Sequence, residues 1–266
     1  MSLRIQNNVE ALGAHRHLTE TSGNIAKSME RLSSGYRINR AADDAAGLAI
    51  SERMRSQVRG LAQTGRNIQD GVSLVQTAEG NLDEVHSMLQ RVRELAVQYK
   101  NGTLSASDQA AIQTEVNQLA SEIERIGTSA KFNGITLLAS NTGTVTFQLG
   151  VNDSDTLTVS TISLGATVGS FSTLSSASAI SSIDVAITAV SSARSTFGAV
   201  QNRLEHSLSA NSVYRENLVA AESRIRDVDM ASEMVELTKN QILQQAGTSM
   251  LAQANQSSQG VLSLLR

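Results

Sequence analysis

The sequence contains no cysteine and no proline, and each absence excludes a class of protein. Without cysteine there is no disulfide, no thiolate nucleophile and no metal site with sulfur ligands. A proline inside a helix costs roughly 3 kcal/mol, so a proline-free chain of 266 residues is suited to long uninterrupted helices. Tryptophan is also absent, and aromatic residues make up only 3% of a chain that is 40% hydrophobic. Its interior is therefore mainly aliphatic, which favours thin helical packing over a thick globular core.

Neither charge nor hydropathy indicates a nucleic-acid or membrane partner. The formal net charge is -3 and the isoelectric point is about 5.8, which gives no support for binding nucleic acid. The first twenty residues lack the apolar core of a cleavable signal peptide. No segment approaches the run of about 20 apolar residues that spans a membrane. We therefore expect a soluble protein that does not leave the cell by the general secretory signal.

A seven-residue repeat of apolar side chains dominates two long parts of the chain. Such a sustained repeat is typical of a coiled-coil seam. The first repeat predicts a helix from Ala45 to about Tyr99, which would be about 80 Å long. Its members are Met54, Leu61, Ile68, Val75, Leu82, Leu89 and Ala96, and those of the second repeat are Ile183, Val190, Phe197, Leu204, Asn211, Leu218 and Ile225.

Asn211 is the one polar member of the second repeat. A buried asparagine in a coiled-coil seam can fix the register or the choice of partner. Alternatively, the seam slips at this position and Asn211 is exposed. The sequence leaves both interpretations open.

A shorter helix and a β-hairpin are predicted between the two repeats. Apolar residues at alternating steps of four and three, from Ile112 to Ile126, indicate an amphipathic helix. Ser105 or Ser107 in the turn before it can cap its start, so this helix is expected to lie antiparallel to the one before. Alternation from Val145 to Val151, then the turn NDSD and further alternation, predicts the hairpin.

Two further features complete this part of the chain. An Asn-Gly turn is predicted in KFNGITLL, just before the hairpin. The serine-rich stretch 170–182 is interpreted as a surface loop that leads into the last long helix.

Both ends of the chain carry narrow apolar stripes at helical spacing. Two such helices can pair with each other, yet they still leave apolar surface exposed, which usually marks an interaction site. The predicted fold is mainly α, with long antiparallel coiled-coil helices, one small β-hairpin region and paired terminal helices. The stripes comprise Ile5, Val9, Leu12, Leu18, Ile25, Met29 and Leu32 near the start, and Leu243, Ala246, Met250, Ala254, Val261 and Leu265 near the end.

The sequence offers little that resembles a catalytic or metal-binding site. His15 and His17 are two positions apart on a predicted helix, so they point to different sides and cannot share a metal. There is no His-Glu-x-x-His pair and no phosphate-binding glycine loop. The adjacent Asp43 and Asp44 are better explained as partners of a helix N-terminus than as an acid–base pair. We expect no enzymatic activity, no cofactor and no metal.

The segment LQRVRELAVQ, residues 89–98, is the most binding-like surface. Leu89, Val92 and Ala96 belong to the seam, so the side chains between them must face solvent or a partner. A plainly solvated face is the alternative, with Arg91 and Glu94 in an ion pair worth a few tenths of a kcal/mol. The outward-facing residues are Gln90, Arg91, Arg93, Glu94, Val97 and Gln98.

Three long segments resemble bacterial flagellin, the subunit of the flagellar filament. They are ERLSSGYRINRAADDAAGLAISERM (Glu30–Met54), NIQDGVSLVQTAEGNLDEVHSMLQRVRELAVQ (Asn67–Gln98) and QILQQAGTSMLAQANQSSQGVLSLLR (Gln241–Arg266). The resemblance covers both ends and most of the chain between them. It departs in the middle, where many flagellins carry large variable outer domains and this chain has only one hairpin and a serine-rich loop.

The resemblance implies a structural, self-assembling subunit used for swimming motility. Residues 1–44 and 226–266 would form the inner tube of the filament, and residues 45–225 the outer tube. Ser34 and Gly35 would break the first helix at the joint between the layers. The polymerisation residues would be Ile5, Val9, Leu12, Leu243, Met250, Val261, Leu262, Leu264 and Leu265.

The resemblance also implies partners and a location outside the cell. Flagellins are exported unfolded through the flagellar type III pathway without cleavage, while a chaperone covers the C-terminal segment. Filament cap and hook-associated proteins would be further partners. In many flagellins the face within LQRVRELAVQ is recognised by the flagellin-sensing Toll-like receptor of vertebrates, and it would also serve subunit packing. The matching positions here are Gln90, Arg91, Glu94, Leu95 and Glu115.

Two other readings of the function remain. A hook–filament junction protein shares the terminal helices but caps or joins instead of polymerising indefinitely. An enzyme or metal-binding helical protein would need a convergent polar site.

Overall fold

The computed structural model describes residues 8–139, 143–160, 164, 174 and 179–264, with side chains up to residue 256. These residues form long helices and two small antiparallel strand pairs, which confirms the mainly α prediction. No helix among them is long and apolar enough to cross a membrane. The helices are α1 (Val9–Ser34), α2 (Ala45–Tyr99), α3 (Ala106–Ser129), α4 (Ala179–Arg226) and α5 (Met230–Leu264).

The chain divides into two compact units. The terminal unit combines the described residues up to Ser56 with those from Leu218 onward, and the central unit comprises Gln57–Asn217. Both α2 and α4 therefore contribute to each unit. The assignment of residues 1–44 with 226–266 to an inner tube, and of 45–225 to an outer tube, concerns the assembled polymer and stays a prediction.

In the central unit, α2 and α4 run antiparallel along the predicted seam. Leu204 packs close to Gly71, and Leu208 lies near Gly65, so residue numbers fall along α4 as they rise along α2. The predicted repeats are confirmed, because nearly all their members within this unit are fully buried. Asn211 is only 8% exposed and therefore lies in the seam, which excludes the exposed alternative. The buried members are Leu61, Ile68, Val75, Leu82, Leu89, Ala96, Ile183, Val190, Phe197 and Leu204.

Helix α3 packs its apolar face on the same core. Val116 and Ile123 are fully buried there. Of the two predicted caps, Ser105 is the N-cap: its Oγ accepts a hydrogen bond from the backbone N of Asp108, and the Asp108 carboxylate accepts from the backbone N of Ser105. This reciprocal capping box satisfies two helix-end donors and fixes where α3 begins.

The predicted hairpin is confirmed and a second, smaller one accompanies it. Strands β3 (Thr144–Gln148) and β4 (Thr156–Ser160) pair in antiparallel register with Phe147 opposite Leu157. Strand β3 ends at Gln148, short of the Val151 that the alternation predicted, although the N–H of Leu149 still donates to the carbonyl of Asp155 at 2.8 Å, the next pair in the same register.

The Asn-Gly turn lies in the smaller hairpin. It joins β1 (Lys131–Phe132) to β2 (Ile135–Thr136), with φ of 48° at Asn133 and 81° at Gly134. Most of the serine-rich stretch interpreted as a loop lies outside the described residues. Its last four residues are helical, since α4 begins at Ala179.

In the terminal unit, α1 and α5 pair in antiparallel fashion, as predicted. Asn8 Nδ2 donates to the carbonyl of Ala254 at 2.9 Å near one end of the pair. Near the other end, Arg31 Nη1 lies 3.4 Å from Glu233 Oε2. Helix α1 ends at Ser34, and Gly35 follows with a φ of 75° and donates its N–H to the carbonyl of Arg31. The predicted break of the first helix is therefore confirmed, and glycine is suited to its left-handed cap.

Candidate functional site

Arg91 is the centre of an exposed charged cluster on α2 and α3. Its Nε donates to Glu115 Oε1 at 3.1 Å across to α3, and its Nη1 donates to Glu94 Oε2 at 3.2 Å on its own helix. These two carboxylates, Glu115 foremost, raise the pKa of Arg91. The side chains of Arg91 and Glu115 are each about half exposed. We call Arg91, Glu94 and Glu115 the charged triad.

The seam explains why the triad faces outward. Leu89, Val92 and Ala96 point into the core with 1% exposure or less, which leaves the intervening positions to solvent. All six predicted outward-facing residues between 90 and 98 are exposed, and the predicted Arg91–Glu94 ion pair is present. Gln90 belongs to this surface, with its Nε2 at 3.0 Å from His86 Nε2.

Leu95 requires a correction to the predicted recognition surface. It is only 2% exposed and lies in the hydrophobic core, so it has no surface with which to meet a partner. The reason is the third helix: at this level α2 is flanked by both α3 and α4, which widens its buried face beyond a two-helix seam. Leu95 can therefore support the helix beneath the triad but does not belong to its exposed face.

A second candidate surface is apolar and lies on the α1–α5 pair. Val9 and Leu12 on α1, and Leu243 and Met250 on α5, keep between 49% and 65% of their surface exposed. Several further large apolar side chains are exposed on the same pair, and of these only Met29 belonged to the predicted stripes. They are Met29, Met230, Met234, Val235 and Ile242.

The remaining predicted polymerisation residues are at the ends of the chain. Ile5 and Leu265 lie outside the described residues. Val261, Leu262 and Leu264 lie in α5, but their side chains are not described. The apolar residues of the α1–α5 pair whose side chains are described are nevertheless numerous enough to test this surface by substitution. Covering a large aliphatic side chain is worth about 1.5–3 kcal/mol, so this surface favours association with another apolar surface.

Of the adjacent aspartates, Asp44 is a partner of a helix N-terminus, as predicted, whereas Asp43 is not. Asp44 precedes α2 and its Oδ1 accepts from the N–H of Gly47 at 2.9 Å, which caps the helix. Asp43 accepts from Lys27 Nζ at 2.8 Å and from the backbone N–H groups of Asn39 and Arg40. These donors, Lys27 first, lower the pKa of Asp43 from 3.8 to about 2. Across the described residues, no group of three or more histidines and carboxylates is placed to hold a metal.

Ion pairs between α2 and α4 were not predicted. Arg93 Nε lies 2.7 Å from Asp184 Oδ1, and Arg194 Nη1 lies 2.9 Å from Asp83 Oδ1. Each pair joins residues about a hundred positions apart in the sequence. The pairs could therefore be predicted only from the register between α2 and α4. Every one of these side chains is at least 31% exposed, so the pairs orient the helices more than they stabilise the fold.

Comparison with known sequences agrees with this architecture. The family model of the bacterial flagellin N-terminal helical region matches residues 5–142, and that of the flagellin C-terminal helical region matches residues 180–265. Flagellin of Halalkalibacterium halodurans is 53% identical, with 98% of this chain and 99% of that protein covered. The flagellar filament 33 kDa core protein of Treponema phagedenis is 51% identical at 98% and 99% coverage. Flagellin of Bacillus subtilis is 46% identical at 99% and 100% coverage.

Solved structures show the same likeness. Bacillus cereus flagellin is 32% identical over 55% of this chain and 88% of its own, with a TM-score of 0.52. A putative flagellar hook-associated protein from Vibrio parahaemolyticus covers 70% of this chain and all of its own, with a TM-score of 0.55, but at 16% identity it shows the fold alone. From the two family matches and the near-complete alignment with curated flagellins, the chain belongs to the bacterial flagellin family, whose members are structural filament proteins and not enzymes.

Proposed function

We propose that the chain polymerises into the bacterial flagellar filament, used for swimming, through the apolar surface of the α1–α5 pair. The observation that carries this proposal is the exposure of Leu12 and Met250, each at 65%, on helices that already pair with each other. Because the pair does not bury these side chains itself, a second copy of the chain is the natural cover. The surface extends over Val9 and Leu243, and in our proposal over Ile5, Val261, Leu262, Leu264 and Leu265.

In this proposal residues 1–44 and 226–266 supply the inner tube and residues 45–225 the outer tube. The terminal pair exposes several large apolar side chains, whereas the exposed residues of α2 and α3 around Arg91 are charged. Large apolar side chains are suited to burial at the centre of a polymer, which favours the terminal helices for the inner tube.

The route to the filament belongs to the proposal as well. We infer export in an unfolded state through the flagellar type III pathway, with a chaperone on the C-terminal segment until assembly. A helix with so many exposed apolar residues needs such a cover before it reaches other subunits. Filament cap and hook-associated proteins would meet the same terminal helices at the two ends of the polymer.

Seeded elongation tests the polymerisation surface. Leu12→Ser and Met250→Gln should each leave the helical content unchanged and raise the critical concentration about tenfold, since about 1.4 kcal/mol of lost contact is a factor of ten. The matched control is Val185→Ser, at an equally exposed valine on the central unit, which should elongate normally. Normal elongation of both terminal variants would contradict the proposal.

Filament length separates this function from that of a hook–filament junction protein. A filament subunit continues to add for as long as monomer is supplied, whereas a junction protein stops after a short ring or layer. Electron microscopy of seeded reactions at increasing monomer concentration measures the difference. Assembly that ends at a fixed short length would favour the junction protein.

We also propose that the monomer is recognised by the flagellin-sensing Toll-like receptor of vertebrates. The observation that favours this second function is the charged triad, which presents paired charges on an exposed ridge together with Gln90. The carboxylate of Glu115 orients the Arg91 guanidinium, so the cation is held ready for a partner. Polymerisation would cover the same ridge, so recognition is expected of released monomers.

A receptor-reporter cell assay tests this second function. Monomer carrying both Arg91→Ala and Glu115→Ala should lose at least tenfold in activating potency while remaining folded. Arg125→Ala is the matched control, because Arg125 forms a similarly exposed ion pair with Glu122 elsewhere on α3. Unchanged potency of the double variant would show that the triad is only a solvated face.

A further inference from the structure

The sequence contains two Asn-Gly pairs, Asn101–Gly102 and Asn133–Gly134. An asparagine followed by glycine can modify itself, because the backbone nitrogen of the glycine can attack the side-chain amide carbon of the asparagine. Glycine favours this attack, since it has no Cβ to obstruct a close approach of the backbone. Both pairs are exposed to solvent, so neither the sequence nor the exposure distinguishes them.

The Asn133–Gly134 pair is held in a conformation that disfavours the attack. Its φ angles of 48° and 81° are both left-handed, as in the two-residue turn that joins two twisted antiparallel strands. For the Gly134 nitrogen to reach the asparagine side chain, the peptide group between the two residues must rotate. That rotation gives the alternative hairpin turn, which favours glycine at its first central position, where this chain has Asn133. The turn therefore resists the rotation.

The chain on both sides of this turn is also fixed. Phe132 pairs with Ile135 across the hairpin. Just beyond the strands, the N–H of Leu137 donates to the carbonyl of Ala130 at 3.0 Å, and both of these residues are buried. The hairpin therefore cannot adjust by shifting its strands.

The Asn101–Gly102 pair lies in the turn between α2 and α3 and is held less firmly. The carbonyl of Asn101 accepts one long hydrogen bond, from the N–H of Leu104 at 3.3 Å, and rotation of the Asn101–Gly102 peptide breaks only this bond. The N–H of Gly102 makes no hydrogen bond to any described residue. An added Cβ at Gly102 would meet nothing within 4 Å, so the space around the attacking nitrogen is open.

We propose that Asn101 deamidates spontaneously in the folded protein and that the β1–β2 hairpin protects Asn133. The nitrogen of Gly102 forms a bond to Cγ of Asn101, the Cγ–Nδ2 bond breaks, and ammonia leaves with the proton that Gly102 gives up. Water then adds to one of the two carbonyl groups of the resulting five-membered imide and opens the ring. One opening gives aspartate, and the other gives isoaspartate, in which the main chain runs through the former side chain.

The product changes both the charge and the length of the α2–α3 connection. Either opening replaces a neutral amide by a carboxylate, which adds one negative charge to a formal net charge of -3. The new charge follows the end of α2 at Tyr99, where the negative end of the helix dipole disfavours it. Isoaspartate also adds one carbon to the backbone that leads to Ser105, the N-cap of α3. The inference concerns the monomer alone and does not depend on the proposed polymerisation.

Peptide mapping by mass spectrometry tests the assignment on the unsubstituted protein. The folded chain is incubated in a mildly alkaline buffer, which promotes loss of the glycine N–H proton, and formation of aspartate and isoaspartate is followed at both asparagines. We expect Asn101 to convert at least about ten times faster than Asn133, which is a difference of about 1.4 kcal/mol in activation free energy. Equal rates, or a faster rate at Asn133, would overturn the proposal.

The same measurement in urea separates the effect of the fold from that of the sequence. In the unfolded chain both pairs are free to rotate, so Asn101 and Asn133 should convert at similar rates. A tenfold difference that persists in the unfolded chain would assign the difference to the neighbouring residues and overturn the protection attributed to the hairpin.

Anion-exchange chromatography with two matched variants gives an independent measurement. An acidic form should accumulate as the unsubstituted protein is incubated. Asn101→Gln should remove most of this form, because the longer side chain closes an imide ring far less readily. Asn133→Gln should leave its rate of formation unchanged. Accumulation at the same rate in both variants, or its loss in the Asn133→Gln variant alone, would contradict the assignment to Asn101.

Discussion

The guanidinium of Arg226 lies over the ring of Tyr36, with its central carbon 4.7 Å from the ring centroid. Its Nη1 also approaches Glu52 Oε1 at 2.7 Å. At this point the connection from α1 to α2 pairs with the connection from α4 to α5, because Val228 donates its N–H to the carbonyl of Gly35 at 3.0 Å. One arginine thus ties together both connections of the terminal unit.

Replacing Arg226 by lysine should weaken this tie although it keeps the charge. Lysine lacks the planar fork that stacks on the ring and reaches Glu52 at the same time. We expect the free energy of unfolding to fall by about 1 kcal/mol, the scale of one cation–π contact. The melting temperature should fall by about 2–4 °C. Arg224→Lys is the control, since Arg224 is exposed on the same helix turn. Equal melting temperatures for the two variants would show that the stacking contributes nothing.

The Lys27–Asp43 pair predicts how stability responds to acid. The pKa of Asp43 is lowered from 3.8 to about 2, chiefly by the hydrogen bond from Lys27, so the folded state favours the carboxylate. This contribution is fully present above about pH 4 and is lost as the pH falls towards 2.

Asp43→Asn should therefore lower the free energy of unfolding at pH 7. This deficit in unfolding free energy should shrink between pH 4 and pH 2, because the unsubstituted protein loses the same contribution there. Urea unfolding at several pH values measures the difference. Asp153→Asn, at an exposed aspartate in the β3–β4 turn, is the control and should track the unsubstituted protein throughout. A deficit that stays constant down to pH 2 would contradict the assignment to Asp43.

Two helix glycines should respond to alanine in opposite directions. At Gly127 in α3, a Cβ would lie 3.2 Å from the backbone oxygen of Leu138, which cannot move without disturbing the chain after β2. At Gly80 in α2, a Cβ would meet nothing within 4 Å. We expect Gly127→Ala to lower the free energy of unfolding by about 1–2 kcal/mol through overpacking. Gly80→Ala should raise it by about 0.5–1 kcal/mol, because alanine has the higher helix propensity.

Thermal unfolding of the two variants is the measurement, and each serves as the other's control. Stabilisation by both substitutions would mean that the backbone near Leu138 relaxes around the added methyl group. The tight packing inferred for this part of the central unit would then be incorrect.

The features that the sequence predicted well are those set by local periodicity. The seven-residue repeat located α2 from Ala45 to Tyr99 with both ends correct, because each turn of a seam helix must place an apolar residue on the same side. For Asn211 the same reasoning allowed two alternatives, a buried seam position and an exposed one, and only the first is correct. Whether that asparagine is buried depends on α2 lying opposite it, which no local pattern contains.

The features that escaped prediction depend on contacts between distant segments. Leu95 was assigned to a recognition surface, yet the simultaneous presence of α3 and α4 buries it. The Arg194–Asp83 pair likewise arises from the register between α2 and α4. Residue type and spacing therefore identified the Arg91–Glu94 pair, and the flagellin resemblance added Glu115, while the burial of each residue depends on how the helices pack together.

Deleting Gly260–Arg266 should separate folding from assembly. The polar contacts described between α1 and α5 extend from Arg31 and Glu233 to Asn8 and Ala254, so the deletion removes none of them. It does remove Val261, Leu262, Leu264 and Leu265 from the proposed polymerisation surface. We expect the far-ultraviolet circular dichroism per residue and the melting temperature to be retained, and elongation from seeds to be abolished.

A full-length variant with these four residues replaced by serine is the matched control, because it keeps the length of the chain but not its apolar character. It should fail to elongate like the truncated chain. Elongation of the serine variant at the normal critical concentration would mean that length alone matters. The apolar tail would then not be the adhesive part of the subunit.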